Sequence, residues 1–185
     1  MAEINTRLDE LRKMVQTPEF LEGRGLSFEE NIRIFSYNAK DELVVQHFIE
    51  QIVSDQLMNC HLIERNLYTI FLSLCEEMDI IDAIPEMEEA DGDKYTIEQL
   101  YSTIGTDEFV QKIDYTPHQL GDVLVLTGIG DVFPFMRVHI LLNALQPYFS
   151  NIPVLVMYPG EFDGHGLKLF NKLKPNDYYR AFNII

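Results

Sequence analysis

Residues 122–131, D-V-L-V-L-T-G-I-G-D, and residues 153–164, P-V-L-V-M-Y-P-G-E-F-D-G, decide how this chain folds. Each is a short apolar run with no polar face, bounded by a proline or charged turn and closing on a Gly-bearing acidic loop. Continuous runs of Val and Leu at this length suit strands buried on both faces, which is the condition of a parallel sheet. In such a sheet both loops open at the carboxyl edge, where α/β proteins place their ligands.

Working outward, the apolar period alternates between helical and strand-like spacing. Ile4, Leu8, Leu11 and Val15 make one stripe on an N-terminal helix that stops before Thr17-Pro18. Residues 32–37 predict a strand, with Asn38 capping a helix over about 41–57 that turns Leu43, Val44, Phe48, Ile49, Ile52 and Val53 inward. Residues 60–64 predict a second short strand, followed from Leu67 by a helix with Phe71, Leu74, Cys75 and Met78 on one face. Residues 85–93 carry Glu86, Glu88, Glu89, Asp91 and Asp93 and predict a solvated loop. A helix over about 95–112, the strand 123–126, a helix from about Val132, the strand 154–157, a short helix over 167–173 and a closing strand over 179–185 complete the expected order. The fold class that follows is α/β: a single three-layer domain with a mainly parallel sheet of about five strands and an added N-terminal helix, residues 1–30 preceding a β-α core over 31–185.

Composition bounds the function. At 185 residues and 46% hydrophobic content, the chain can bury roughly 70% of its unfolded surface in one core. Thirty acidic against fourteen basic residues give a formal charge of −16, a field that repels phosphate backbones, so no direct DNA binding is expected. Cys60 and Cys75 lie in apolar surroundings at neither disulfide-framework nor metal-knuckle spacing. No run approaches the ~18 apolar residues of a membrane span, and a soluble cytoplasmic protein without a membrane partner is the expectation.

The motifs argue against most catalytic classes. Gly128-Ile129-Gly130 follows a strand and precedes a helix, but Phe133 stands where a dinucleotide fingerprint needs its third glycine. Gly128 and Gly130 then read as a tight turn, with Asp131 capping a helix and Pro134 in its first turn. Residues 36–42 have no glycine for a P-loop, and no G-x-S-x-G elbow occurs. His47, His61, His118, His139 and His165 show no paired zinc-ligand spacing. On a wheel begun at Val132, His139, Asn143 and Gln146 form a polar stripe and Arg137 points the other way, a buried cation reaching toward Glu161 or Asp163 in an ion pair, or else toward an anionic ligand. Gly160 and Gly164 read as turn residues, and Glu161 and Asp163 either share those turns or, with Asp131 on the parallel loop, are oxygen ligands for magnesium.

The strings T-G-I-G-D-V-F-P-F-M-R-V-H-I-L-L-N-A-L-Q, Y-P-G-E-F-D-G and L-F-N-K-L-K-P-N-D-Y-Y-R-A-F resemble the BrxB family, small components of the BREX bacteriophage-exclusion systems. Residues 7–11, Gly23-Arg24-Gly25, the strand over 32–37 and Asn66-Leu67-Tyr68 agree with its N-terminal half, so the similarity covers nearly the whole chain. The resemblance implies a role in anti-phage defence beside a methyltransferase, a large ATPase and a PglZ-type alkaline-phosphatase-like protein. It implies no assigned catalytic activity, no cofactor and no catalytic residues. Gly128, Gly130, Phe133, Pro134, Arg137, His139 and residues 159–164 match the family's motifs as a candidate ligand site or interface. The expected function is a non-catalytic assembly subunit contacting the PglZ-type protein, with the amphipathic N-terminal helix available for docking. The alternative is a magnesium- or nucleotide-binding enzyme or switch built on the loops at 128–131 and 159–164.

Overall fold

The computed structural model describes residues 2–22, 31–163, 165–174, 176–177 and 182–184. In chain order these form α1 (Ala2–Met14), α2 (Pro18–Leu21), β1 (Ile32–Tyr37), α3 (Glu42–Ser54), β2 (His61–Asn66), α4 (Leu67–Glu77), α5 (Ile84–Asp91), α6 (Asp93–Thr103), α7 (Thr106–Ile113), β3 (Asp122–Thr127), α8 (Ile129–Val132), α9 (Val138–Leu145), β4 (Val154–Phe162), β5 (Gly166–Leu169), β6 (Asn176–Asp177) and β7 (Phe182–Asn183). Gly23-Arg24-Gly25, Gly164 and most of the expected closing strand, residues 179–181 and 185, lie outside the described residues.

Five strands pair in parallel in the order β2-β3-β4-β1-β7, and β5 and β6 continue antiparallel from the far end of β4. The fold class expected from the sequence is the one observed. Strand parity divides the core into two layers. Ile32, Ile34, Leu124, Leu126, Val154, Val156 and Tyr158 face α4, α7 and α9, whereas Phe35, Tyr37, Val123, Val125, Leu155 and Met157 face α1 and α3. Every residue of β3 is buried, as its unbroken apolar run requires of a strand covered on both sides.

The stripe on α1 is consumed inside the fold. Ile4, Leu8, Leu11 and Val15 are at most 5% exposed and pack with Val45, Ile49 and Ile52 of α3. Arg12 pairs with Asp55, and Arg7 donates to the Ser36 carbonyl at 2.7 Å while lying 4.7 Å from the Phe35 ring centroid. The helix expected to be available to a partner is therefore a core element.

Several expected boundaries change. On α3 the buried positions are Val45, Ile49 and Ile52, whereas Leu43 is 79% exposed and Val53 37%; the stripe is narrower than the apolar content suggested. The acidic stretch 85–93 is helical, not a loop, through Asp91. Pro85 sits in the first turn of α5, where its missing N–H costs nothing, Glu, Met and Ala favour the helix, and Gly92 closes it. Its acids stay exposed. The helix expected over 95–112 is two, because Ile104 leaves helical geometry and buries at 1% exposure between α6 and α7. Residues 167–173 form β5 and a turn rather than a helix: Leu167 and Leu169 bury in alternation while Lys168 lies opposite Glu161. Both cysteines are free and buried, their thiols pushed up by desolvation. Among the described residues no helix is long and apolar enough to cross a membrane.

Candidate functional site

The carboxyl half of β3 lies beside the start of β4, in register from Leu124 opposite Val154 to Leu126 opposite Val156, and β4 runs on past the end of β3 to Phe162. Two clefts open near this edge, and the segment between β3 and β4 lines the one on the α9 face. Gly128 adopts φ +68°, a left-handed turn that starts α8. A β-carbon there would stand 2.5 Å from Asn66 Oδ1 and 2.9 Å from Asn66 Cγ, so both the backbone angle and the close neighbour require glycine. Asn66 is held in place because its Oδ1 caps α4, accepting from Tyr68 N at 3.0 Å and Thr69 N at 3.1 Å.

After α8 the chain leaves helical geometry. Phe133 is extended at φ −69°, ψ 134°, as steric conflict with a following proline demands, and α9 begins only at Val138 with Arg137 as its flanking residue. Three expectations are corrected by this break. Asp131 lies within α8 and makes no cap, Pro134 is not in a helical first turn, and Arg137 is exposed rather than buried. The wheel that placed Arg137 inward assumed one continuous helix from Val132. Arg137 has no carboxylate partner among the described residues, and it does not pair with Glu161 or Asp163.

On the α3 face a cleft of about 330 Å³ is bordered by Tyr37, Glu42, Gln46, Glu64, Asn66 and Thr127. Its polar groups satisfy one another. Tyr37 Oη donates to Glu42 Oε2 at 2.8 Å, Gln46 Nε2 donates to Glu42 Oε1 at 3.2 Å, and Thr127 Oγ1 donates to Glu64 Oε1 at 2.7 Å. Burial raises the Glu42 carboxyl above the usual glutamate range and the Asp131 charge adds to the rise, while its two hydrogen bonds oppose it. The Tyr37 phenol is raised by burial first and then by Glu42.

Residues 159–162 belong to β4 instead of forming a turn. Gly160 packs beneath the Lys168 carbonyl and the Tyr158 ring, which leaves no room for a side chain. Gly130 is similarly closed by Phe170 and Pro159. Glu161 is exposed, and Asp163 Oδ1 accepts from His165 N at 2.9 Å and Gly166 N at 2.8 Å, bonds that lower its carboxyl. Asp131, by contrast, exerts its charge on Tyr37 and Glu42 across the sheet edge. Among the described residues no three His, Cys, Asp or Glu side chains gather where they can hold a metal ion.

The second cleft, also about 330 Å³, opens on the α9 face and brings together Phe133, Arg137 and His139 of the expected set with Met136, Tyr158, Leu169, Leu173 and Lys174. Burial, and secondarily the Arg137 charge, lowers the His139 imidazole below the ordinary histidine value. Tyr158 and Lys174 were not anticipated. The inward position of Tyr158 was visible as the parity of Val154 and Val156, but Lys174 was hidden behind the helix expected at 167–173.

Comparison with known proteins matches the sequence to a family. A family described as "BREX protein BrxB" matches residues 63–184, which include β3, β4 and the residues of the second cleft. A protein of Bacillus cereus (strain H3081.97) named "BREX protein BrxB" is 35% identical over 193 aligned residues, covering 100% of this chain and 99% of its own length. One of the same name from Escherichia coli O9:H4 (strain HS) is 26% identical over 183 residues, covering 97% and 90% respectively. No solved structure matches. With a family match over most of its length and a full-length relative at this identity, the chain belongs to the BrxB family.

Proposed function

We propose that the protein is a non-catalytic assembly subunit of a BREX bacteriophage-exclusion system, and that it binds the PglZ-type component. The observation that carries this reading is at the amino edge of the sheet. Leu57, Leu120 and Tyr148 precede β2, β3 and β4, three neighbouring parallel strands, and are 88%, 92% and 50% exposed. Large apolar side chains grouped at one edge fit a protein interface better than a solvated surface. The polar groups of the α3-face cleft support the same reading, because Glu42, Glu64 and Asn66 are engaged in holding β1, β3 and α4.

Co-expression with the PglZ-type protein, tagged capture and light scattering test the proposal. A stoichiometric complex is expected, and L57S/L120S/Y148S is expected to fold as the parent does while losing capture. An unpartnered monomer, or a complex that the triple substitution leaves intact, overturns it.

A further inference from the structure

The cleft on the α9 face differs from the rest of this acidic molecule. No Asp or Glu borders it, yet Arg137, His139 and Lys174 do, in a chain where acids outnumber Lys and Arg by thirty to fourteen. None of the three has a hydrogen-bond or carboxylate partner for its side chain among the described residues. The walls are apolar: Ile129, Met136 and Leu169 are buried core residues whose faces reach the cavity.

Tyr158 supplies the second observation. It is 2% exposed and borders the cavity, and burial alone raises its phenol, with no hydrogen bond contributing. Its hydroxyl has no partner among the described residues, and it is not among the buried polar atoms sealed away from solvent. A hydroxyl inside a protein is ordinarily hydrogen-bonded. This one remains a neutral donor at physiological pH, on a residue that borders the cleft.

We propose that this cavity binds a carboxylate carried on an apolar body, with Arg137 and Lys174 holding the anion, Tyr158 Oη donating to it, and Phe133, Met136 and Leu169 enclosing the apolar part. The volume suits a group the size of one or two amino-acid residues, at the small end of ligand pockets. The chemistry favours a monoanion. The −16 charge opposes accumulation of polyanions, and the lowered imidazole of His139 leaves two permanent cations at the mouth instead of three. Arg137 offers the planar fork that matches a carboxylate. Two sources carry this chemistry, a free amphipathic acid and the C-terminal residue of a protein chain.

The test uses the full chain at low ionic strength, with thermal shift and calorimetric titration. The probes are 3-phenylpropionate, its uncharged amide 3-phenylpropionamide, N-acetyl-phenylalanine as a mimic of a chain terminus, and inorganic phosphate. Both carboxylates are expected to bind and to raise Tm with concentration, while the amide and phosphate bind at least tenfold more weakly. Tyr158→Phe keeps the ring and its packing, and is expected to weaken carboxylate binding about tenfold, as loss of one hydrogen bond to a charged group does. R137Q/K174Q alters only exposed side chains, and is expected to abolish the preference for carboxylate over amide. Tighter binding of N-acetyl-phenylalanine identifies a chain terminus, and tighter binding of 3-phenylpropionate a free acid. The proposal is overturned if neither carboxylate binds, if amide or phosphate binds equally well, or if both variants titrate as the parent does.

Discussion

Asn66 and Gly128 form an energetically coupled pair. Asn66→Ala removes the α4 cap, two bonds at 3.0 and 3.1 Å, and should cost about 1 kcal/mol. Gly128→Ala places an L-residue at φ +68°, which costs roughly 1–2 kcal/mol on backbone grounds alone. Its new methyl also falls 2.5 Å from the capping oxygen, so Asn66 must rotate away and the cap is lost as well. The single Gly128→Ala change should therefore cost about 2–3 kcal/mol, the sum of backbone strain and a broken cap. In N66A/G128A the clash is gone and the cap already absent, so the double variant should cost about as much as G128A by itself. The expected interaction energy is about 1 kcal/mol below additivity. Urea unfolding of the four proteins at neutral pH measures it, with equal m-values confirming that the native states are alike. Additivity to within about 0.3–0.5 kcal/mol would show that the two side chains do not meet and would refute the account of this turn.

Two further outcomes follow from the same edge of the sheet. Gly160→Ala drives a methyl into the Lys168 carbonyl and the Tyr158 ring, and should destabilise by about 1–3 kcal/mol through overpacking; unchanged urea stability would contradict the β4–β5 register. Glu42 ionises less readily in the folded chain than in the unfolded one, because burial and Asp131 raise its carboxyl. As pH rises from the ordinary glutamate value through the raised folded one, the unfolded chain releases this proton first, so the contribution of Glu42 to stability falls with rising pH. Glu42→Gln, which retains an oxygen to accept from Tyr37, should remove that fall, and the stability of the variant relative to the parent should increase between mildly acid and neutral pH. A difference that stays flat or decreases on chemical unfolding across that range would show that Glu42 is not desolvated.

How far the sequence could be read depended on whether an element's starting point was marked. β3 and β4 were legible because alternation fixes faces within a strand, setting Leu124 with Leu126 and Val154 with Val156, while the register between the strands puts all four on one face. The α1 stripe was legible for a similar reason, its four apolar residues spanning three turns between clear ends, although its use as core and not as a docking helix depends on where α3 lies. Residues 167–173 were misread because Leu167, Leu169, Phe170 and Leu173 satisfy both periods, and only pairing with the extension of β4 selects the strand.

Arg137 shows what such ambiguity costs and what it conceals. A helical wheel has meaning only from its first residue, and moving the start from Val132 to Val138 changes Arg137 from a supposed interior cation into the exposed residue that precedes α9. The residue type and its nearness to Phe133 and His139 could be read from the string, but its environment could not. The same break that exposes Arg137 also separates α8 from α9, and it is in this gap that Met136, Tyr158 and Lys174 meet. A continuous helix from Val132 would present one face of regular ridges to β4. The interrupted one leaves the side chains of Phe133 and Met136 to line a cavity, so the departure from local periodicity at Phe133-Pro134 is what brings Arg137 and Lys174, cations with no carboxylate partner among the described residues, to the border of one cleft.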